Sequence, residues 1–177
     1  MTPMLRRFAT AAVLMLSAGP GHASSLNIVA VGASNTWGWG VGAQDAFSAR
    51  LQTILRQRGI DAKVSNAGVI ADTTTGMLSR IDSAVPNGTN IVILQPGSND
   101  LRFGWSKQQR AANITAIVER LRRRHIRVIV YDPAIPPNFL QWDGIHFTAA
   151  AHEQIAATLA AKIAGGRKSP EGDRKKQ

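Results

Sequence analysis

The segment LNIVAVGASN, residues 26–35, decides the fold. Its first part, from Leu26 to Val31, is a short and mostly apolar run that stops at Gly32, a pattern typical of a buried strand. Ser34 follows two residues after that glycine. The segment therefore predicts a serine presented at the carboxyl end of the first strand.

Outside this segment, strand patterns alternate with helix patterns. Further strands are predicted over Ala62–Ala67, Asn90–Gln95 and Ile126–Tyr131. Apolar side chains at helical spacing predict helices over Phe47–Gly59, around Met77–Ile81, from Ser106 to Leu121 and over Phe147–Ile163. Strands that alternate with helices indicate an α/β fold in three layers, with a short parallel sheet covered on both faces.

The 177 residues are enough for one domain with a core of its own. Residues 1–23 are predicted to be a signal peptide: two arginines precede the apolar stretch Phe8–Ala18, and Gly21-His22-Ala23 is a small-x-small cleavage site. An uncleaved anchor is the alternative, but the apolar stretch is shorter than the roughly 20 residues of a spanning helix. Residues 24–165 are expected to form the domain, and residues 166–177 a disordered basic tail. We therefore expect export to the periplasm or the extracellular space.

The chain carries a formal net charge of +10 and has no cysteine. Disulfides, thiolate metal sites and cysteine nucleophiles are thereby excluded. The basic side chains cluster over Arg120–Arg127 and Arg167–Lys176, without interleaved aromatic residues, so no nucleic-acid partner is expected. The four histidines form no tight cluster with acidic residues, so we expect no metal site, and the remaining chain predicts no stable membrane span.

Polar residues concentrate where the predicted strands end, which is where sites form in parallel sheets. A serine hydroxyl needs a base and a third group that orients the base, and Asp143 and His146 are three residues apart, within reach of each other on one turn. Asn99 follows the third strand and is suited to donate to an oxyanion. Each of these motifs also has a purely structural explanation, because D-x-x-H also starts helices and Gly-Ser-Asn-Asp also forms ordinary turns.

Four blocks in this order resemble those of the SGNH, or GDSL-type, hydrolases. The blocks are Gly32-Ala33-Ser34-Asn35, Asn66 to Thr74, Gly97-Ser98-Asn99-Asp100 and Asp143-Gly144-Ile145-His146. The resemblance covers Leu26 to Ile163 and implies a flavodoxin-like SGNH hydrolase fold.

The resemblance also implies the roles of the site residues. It makes Ser34 the nucleophile, His146 the general base and acid, and Asp143 its orienting partner. The oxyanion would be held by the amides of Ser34 and Ala71 and by Asn99. The implied activity is hydrolysis of a small-molecule carboxylic ester (a lysophospholipid, thioester, aryl or acetyl ester) through an acyl-enzyme, with no cofactor.

Three departures from the family pattern leave a second function open, and one of them is a short connection, with only 11 residues between Tyr131 and Asp143. Ala33 stands where the family has an acidic residue, and Ala71 stands at the oxyanion glycine, for which Gly68 is a weaker substitute. The alternative is a catalytically weakened binding protein with the same fold. Trp37 and Trp39 lie beside the nucleophile and either line a substrate groove or cap the core. The sequence leaves the oligomeric state unknown.

Overall fold

A computed structural model describes residues 25–166, in which helices pack around a central parallel sheet. The predicted signal peptide, residues 1–23, and residues 167–177 of the predicted basic tail lie outside the described residues. The elements follow in the order β1 (Leu26–Gly32), α1 (Ser34–Trp37), α2 (Phe47–Gln57), β2 (Ala62–Gly68), α3 (Thr74–Ala84), β3 (Ile91–Gln95), α4 (Asn99–Arg102), α5 (Lys107–Arg123), β4 (Arg127–Val130) and α6 (Ala149–Gly165).

Within residues 25–166 the sheet has four strands in the order β2-β1-β3-β4, and every neighbouring pair is parallel. Gly32 at the end of β1 pairs with Gly68 of β2 on one side and with Gln95 of β3 on the other. The carboxyl ends of these three strands therefore coincide. The predicted alternation of strands and helices in a three-layer α/β fold is confirmed.

The core lies on both faces of the sheet because side chains alternate along each strand. On one face, Ile28 and Ala30 of β1 pack with the buried sides of α2 and α6. On the other face, Val29 and Val31 pack with α3 and α5. Strands that are buried on both faces explain why β1 and β3 are continuous apolar runs in the sequence.

Short polar side chains determine where three of the helices begin. Thr73 accepts a hydrogen bond from Gly76 N at the start of α3, Ser106 caps α5 in the same way, and Thr148 accepts from Ala151 N at the start of α6. Each such cap stabilises by about 1 kcal/mol. The predicted start of the last helix at Phe147 was wrong by two residues, because Thr148 caps the helix and Phe147 instead pairs with Leu140 in an antiparallel bridge.

Two glycines let helix α1 cross directly over the ends of β1 and β2. A Cβ on Gly68 would lie 2.3 Å from the backbone nitrogen of Trp37, and a Cβ on Gly32 would lie 2.1 Å from the hydroxyl oxygen of Thr36. Only a residue without a side chain allows this approach. As a result, Ser34 at the start of α1 is held against the edge of the sheet.

Candidate active site

The predicted site residues lie on segments that meet at the carboxyl edge of the sheet. Ser34 begins α1 directly after β1, and Asn99 begins α4 directly after β3. Ala71 lies in the turn between β2 and α3. Asp143 and His146 lie in the loop that precedes α6. The strand order places these segments together, although up to 112 residues separate them in the chain.

Ser34, His146 and Asp143 form a continuous hydrogen-bonded chain. His146 Nε2 lies 3.0 Å from Ser34 Oγ, and His146 Nδ1 lies 2.5 Å from Asp143 Oδ2. A carboxylate on Nδ1 favours the tautomer that carries its proton there, which leaves the lone pair of Nε2 facing the serine hydroxyl. This arrangement allows the imidazole to take the proton of Ser34.

Asp143 is held as a carboxylate by hydrogen bonds to its negative charge. Its Oδ1 accepts from the backbone N–H groups of His146 at 3.0 Å and Ile145 at 2.9 Å. The backbone bond from His146, followed by the imidazole bond and the Ile145 amide, lowers the pKa of Asp143 from 3.8 to about 2. The carboxylate is therefore ionised at any pH at which the imidazole can act as a base.

A second polar side chain, Asn35, holds the loop that carries His146. Asn35 Nδ2 donates to Ile145 O at 3.2 Å, and Phe147 N donates to Asn35 Oδ1 at 3.0 Å. Gln141 closes the loop from the other side, because Gln141 N donates to His146 O at 2.7 Å. In the sequence Asn35 stands out only as part of the serine block, and no local pattern predicts its contacts with the His146 loop.

Three possible donors to an oxyanion lie beside the serine. Ser34, Ala71 and Asn99 line one cavity, and Ala71 has a positive φ of 61°. Among residues 25–166, the backbone N–H groups of Ser34 and Ala71 donate to no other residue. The amide of Gly68, the weaker substitute considered from the sequence, already donates to Asn66 Oδ1 at 2.9 Å.

The side chain of Asn99 is oriented by the loop that contains Ala71. Asn99 Nδ2 donates to Asp72 O at 2.8 Å, which uses one of its two amide protons and leaves the second. The carboxylate of Asp72 in turn accepts from Arg80 Nε at 2.8 Å, and Arg80 also reaches Gly32 O at 3.3 Å. The Ala71 turn, α4 and the end of β1 are therefore connected by hydrogen bonds.

Asp100 connects the same two loops from inside the core. It is completely buried, and its carboxylate accepts from Thr74 N at 3.0 Å and from Thr74 Oγ1. The side chain of Asn113 donates to the same threonine hydroxyl at 3.0 Å. A buried carboxylate at the N-terminus of α3 also suits the helix dipole. This structural function was not predicted, because in the sequence Asp100 is only the last residue of a polar block.

Two cavities of different polarity meet at Ser34 and Asn99. The first, of about 190 Å³, also contains His146 and is walled mainly by the apolar side chains Trp39, Ile70, Phe103 and Ile145. The second, of about 170 Å³, contains Asn35, Gln95, Ser98 and Asp132. Asp132 is paired with Arg110 at 2.5 Å. The hydroxyl of Ser34 thus lies between an apolar and a polar compartment.

The two tryptophans beside the serine lie outside the core. Trp37 and Trp39 are 48% and 43% exposed, and the Trp39 ring lies 5.7 Å from the ring of His146. Trp39 lines the apolar cavity and does not cap the core.

His152 lies on the buried face of α6 and belongs to the core. Its Nδ1 accepts from Phe47 N at 3.2 Å, and its ring stacks on the Phe47 ring. Burial lowers the pKa of His152 from 6.5 to about 4, partly opposed by the charge of Asp45. Nδ1 accepts a hydrogen bond, so the neutral ring carries its proton on Nε2, which has no partner among residues 25–166.

The described residues contain neither a cluster of metal ligands nor a helix that could span a membrane. Residues 25–166 contain no group of three or more histidine, aspartate or glutamate side chains arranged to hold a metal ion. Over the same residues, no helix has the length and apolar character needed to cross a membrane.

Comparison with known proteins gives a family match over most of the chain. A family model described as "GDSL-like Lipase/Acylhydrolase family" matches residues 30–166. This range begins within β1 and ends one residue beyond α6, so it includes all four polar blocks.

Individual relatives are more distant. An esterase, TesA of Pseudomonas aeruginosa, is 26% identical over 119 residues, which are 67% of this chain and 59% of that protein. An arylesterase of Vibrio mimicus is 23% identical over 128 residues, which are 72% of this chain and 64% of that protein. The chain thus spans less than two thirds of either relative. A crystal structure of TesA has a TM-score of 0.72 at 21% identity and covers 78% of this chain and 98% of that one, which shows the same fold.

Proposed function

The chain belongs to the GDSL-like lipase/acylhydrolase family, also called the SGNH hydrolases, and we propose that it is a serine esterase that cleaves carboxylic esters through an acyl-enzyme. The observation that carries this proposal is the position of His146. Its Nε2 lies 3.0 Å from Ser34 Oγ while Asp143 occupies its Nδ1. The esterase names of the two relatives support the same reaction class.

In the first half-reaction, Ser34 Oγ attacks the ester carbonyl carbon and His146 Nε2 takes the hydroxyl proton. The carbonyl π electrons move to the oxygen, which gives a tetrahedral intermediate. When this intermediate collapses, the bond to the alcohol oxygen breaks and His146 returns the proton to the departing alcohol. Asp143 stabilises the imidazolium in between, and its low pKa suits this function.

The negative oxygen of the intermediate would be held by the amides of Ser34 and Ala71 and by Asn99. Two observations support this assignment: the two amides are without a partner in the described part of the chain, and all three residues line the same cavity. Donors that are already oriented need no reorganisation when the charge develops. The bond from Asn99 to Asp72 O supplies this orientation.

In the second half-reaction, a water molecule replaces the alcohol. His146 Nε2 removes a proton from the water as its oxygen attacks the acyl carbon. The second tetrahedral intermediate collapses, Ser34 Oγ leaves, and the proton returns to it from His146. The products are a carboxylic acid and the free enzyme.

We further propose that the protein is exported and that cleavage after Ala23 leaves Ser24 as the mature N-terminus. The support comes from the basic, apolar and small-residue pattern of residues 6–23. Residues 24–165 would then be the hydrolase domain, in the periplasm or outside the cell.

The test is hydrolysis of p-nitrophenyl esters from acetate to palmitate by the chain and by its Ser34→Ala variant. We expect turnover to be lost in the Ser34→Ala variant. It should be kept in the Ser83→Ala control, which changes an exposed serine of α3. The ester with the highest kcat/KM would indicate the length of the acyl chain that the cavity accepts. Equal rates with and without the Ser34 hydroxyl would instead favour the binding-protein alternative.

A further inference from the structure

All four tryptophans of the sequence lie within residues 25–166, and each is substantially exposed. The exposed fractions are 48% for Trp37, 43% for Trp39, 37% for Trp105 and 97% for Trp142. Exposed apolar area costs about 25 cal/mol per Å², so large aromatic side chains are normally withdrawn from water. Contiguous patches of this kind mark interaction sites.

Exposed apolar side chains line the apolar cavity or lie on the segments that line it. Trp39 and Phe103 line that cavity together with Ser34 and His146, and the Trp37 ring lies 6.3 Å from the Trp39 ring. We refer to six side chains, each between 37% and 56% exposed, as the docking rim: Trp37, Trp39, Ile70, Leu101, Phe103 and Trp105.

The rim segment after β3 is held in place by the backbone. Phe103 N donates to Asn99 O and Trp105 N donates to Asp100 O, both at 2.8 Å. Asp100 is itself anchored in the core through Thr74. These bonds therefore fix the backbone from which the exposed side chains of Leu101, Phe103 and Trp105 project.

Cations alternate with these apolar side chains. The segment Leu101–Lys107 reads LRFGWSK, every residue of it is exposed, and neither Arg102 nor Lys107 pairs with a carboxylate of the described residues. Of the carboxylates on this edge of the sheet, Asp72 is paired with Arg80 and Asp132 with Arg110, while Asp100 and Asp143 accept hydrogen bonds from Thr74 and His146. The segment Leu101–Lys107 thus presents apolar side chains beside two cations that pair with no carboxylate of the described residues.

We propose that the docking rim binds the surface of an anionic phospholipid membrane, with the mouth of the apolar cavity facing the lipid. Tryptophan and phenylalanine beside arginine and lysine is the composition that binds at a lipid–water interface, where the rings enter the acyl boundary and the cations meet the head groups. That the docked protein would take its ester from the membrane rests on the proposed esterase function. The binding itself does not.

The test uses the proposed mature chain, Ser24 to Gln177, with Ser34→Ala, so that binding is measured without hydrolysis and without the apolar residues 8–18. Vesicles of phosphatidylcholine alone and of equal parts phosphatidylcholine and phosphatidylglycerol are sedimented with the protein. We expect pelleting with the mixed vesicles together with a blue shift of tryptophan emission. Because all four tryptophans are exposed, no buried tryptophan masks this signal.

Three double variants in the same background separate apolar from electrostatic binding. Phe103→Ser with Trp105→Ser should weaken partitioning about tenfold or more on the mixed vesicles. Arg102→Gln with Lys107→Gln should weaken it about fivefold per cation, and should have little effect on phosphatidylcholine alone. Arg122→Gln with Arg123→Gln removes the same charge from exposed positions at the end of α5, on the opposite edge, and should have little effect.

The proposal is overturned if the chain does not pellet with mixed vesicles, or if the rim variants bind as tightly as the Ser34→Ala parent. Equal loss in the Arg122 and Arg123 control, or a dimer that dissociates in the Phe103 and Trp105 variant without vesicle binding, would also overturn it. Hydrolysis of soluble esters is measured separately with Ser34 intact. Hydrolysis without vesicle binding rejects only the docking proposal, and vesicle binding without hydrolysis rejects only the esterase.

Discussion

The side-chain amide of Asn35 bonds to the peptide groups on both sides of His146. It donates to the carbonyl of Ile145 at 3.2 Å and accepts from the N–H of Phe147 at 3.0 Å. Asn35 follows Ser34 in the same turn of helix, so one short element positions both the serine and the imidazole. The distance between Ser34 Oγ and His146 Nε2 therefore depends on a residue that touches neither atom.

Asn35→Ala should lower kcat about 10- to 100-fold and leave KM nearly unchanged, because the imidazole loses its alignment while the apolar cavity, which Asn35 does not line, keeps its walls. Steady-state kinetics on a p-nitrophenyl ester measures both constants. Asn87→Ala, at an exposed turn on the opposite edge of the sheet, is the matched control. A higher KM with an unchanged kcat would show that Asn35 acts on substrate binding instead.

Asn99→Ala should lower kcat about 100- to 1,000-fold, the usual cost of removing one oxyanion donor. Asn99→Asp should do the same, because an ionised carboxylate keeps the size of the side chain but has no proton to donate. Rates for both variants, with circular dichroism to establish folding, check this expectation. An Asn99→Asp variant as active as the parent would exclude Asn99 from the oxyanion site.

Ala71→Gly should retain activity and leave stability equal or up to about 1 kcal/mol higher. Relief of the positive φ of 61° gains about 1 kcal/mol, which the greater freedom of glycine in the unfolded chain partly offsets. Ala112→Gly, at an exposed position within α5, should instead lower stability by about 1 kcal/mol. Urea unfolding of both variants measures the difference. Equal losses at the two positions would mean that Ala71 is not strained.

His152→Gln should flatten the dependence of stability on pH between about 6.5 and 4. The folded pKa of His152, about 4, lies below the ordinary value of 6.5, so the unfolded chain binds the extra proton first. The buried neutral imidazole therefore makes its full contribution to the free energy of unfolding above pH 6.5. As the pH falls towards 4, the free energy of unfolding decreases by roughly 3 kcal/mol for this completely buried group. Denaturant unfolding at several pH values measures the slope. The same slope in parent and variant would contradict this assignment.

Local patterns predicted most of the fold. The apolar runs of β1 and β3 and the helical spacing in α2 and α5 identified their elements to within a few residues. Helices α1 and α4 were not predicted, because four residues are a single turn and cannot show a helical period. The predicted start of α6 was two residues too early, because the prediction used the apolar spacing and did not take the cap at Thr148 into account.

The candidate site was predicted in part. Ser34 was chosen because it follows a strand end, Asp143 and His146 because of their spacing, and the roles of all three from the family resemblance. The fold brings them within hydrogen-bond distance. The structural function of Asp100 and the contacts of Asn35 were missed. Each is a polar side chain that bonds to a distant part of the chain, and nothing in its neighbours indicates the partner.

The sequence by itself determined the order of the elements, the parallel α/β class and the chemistry available at the strand ends, because these follow from periodicity and residue type. Only the tertiary structure decided that Asn35 holds the His146 loop, that His152 is buried and that every tryptophan is exposed. Such contacts depend on the strand order β2-β1-β3-β4 and on the face that each helix turns to the sheet. Packing of the whole chain sets both, and no local stretch of residues encodes either.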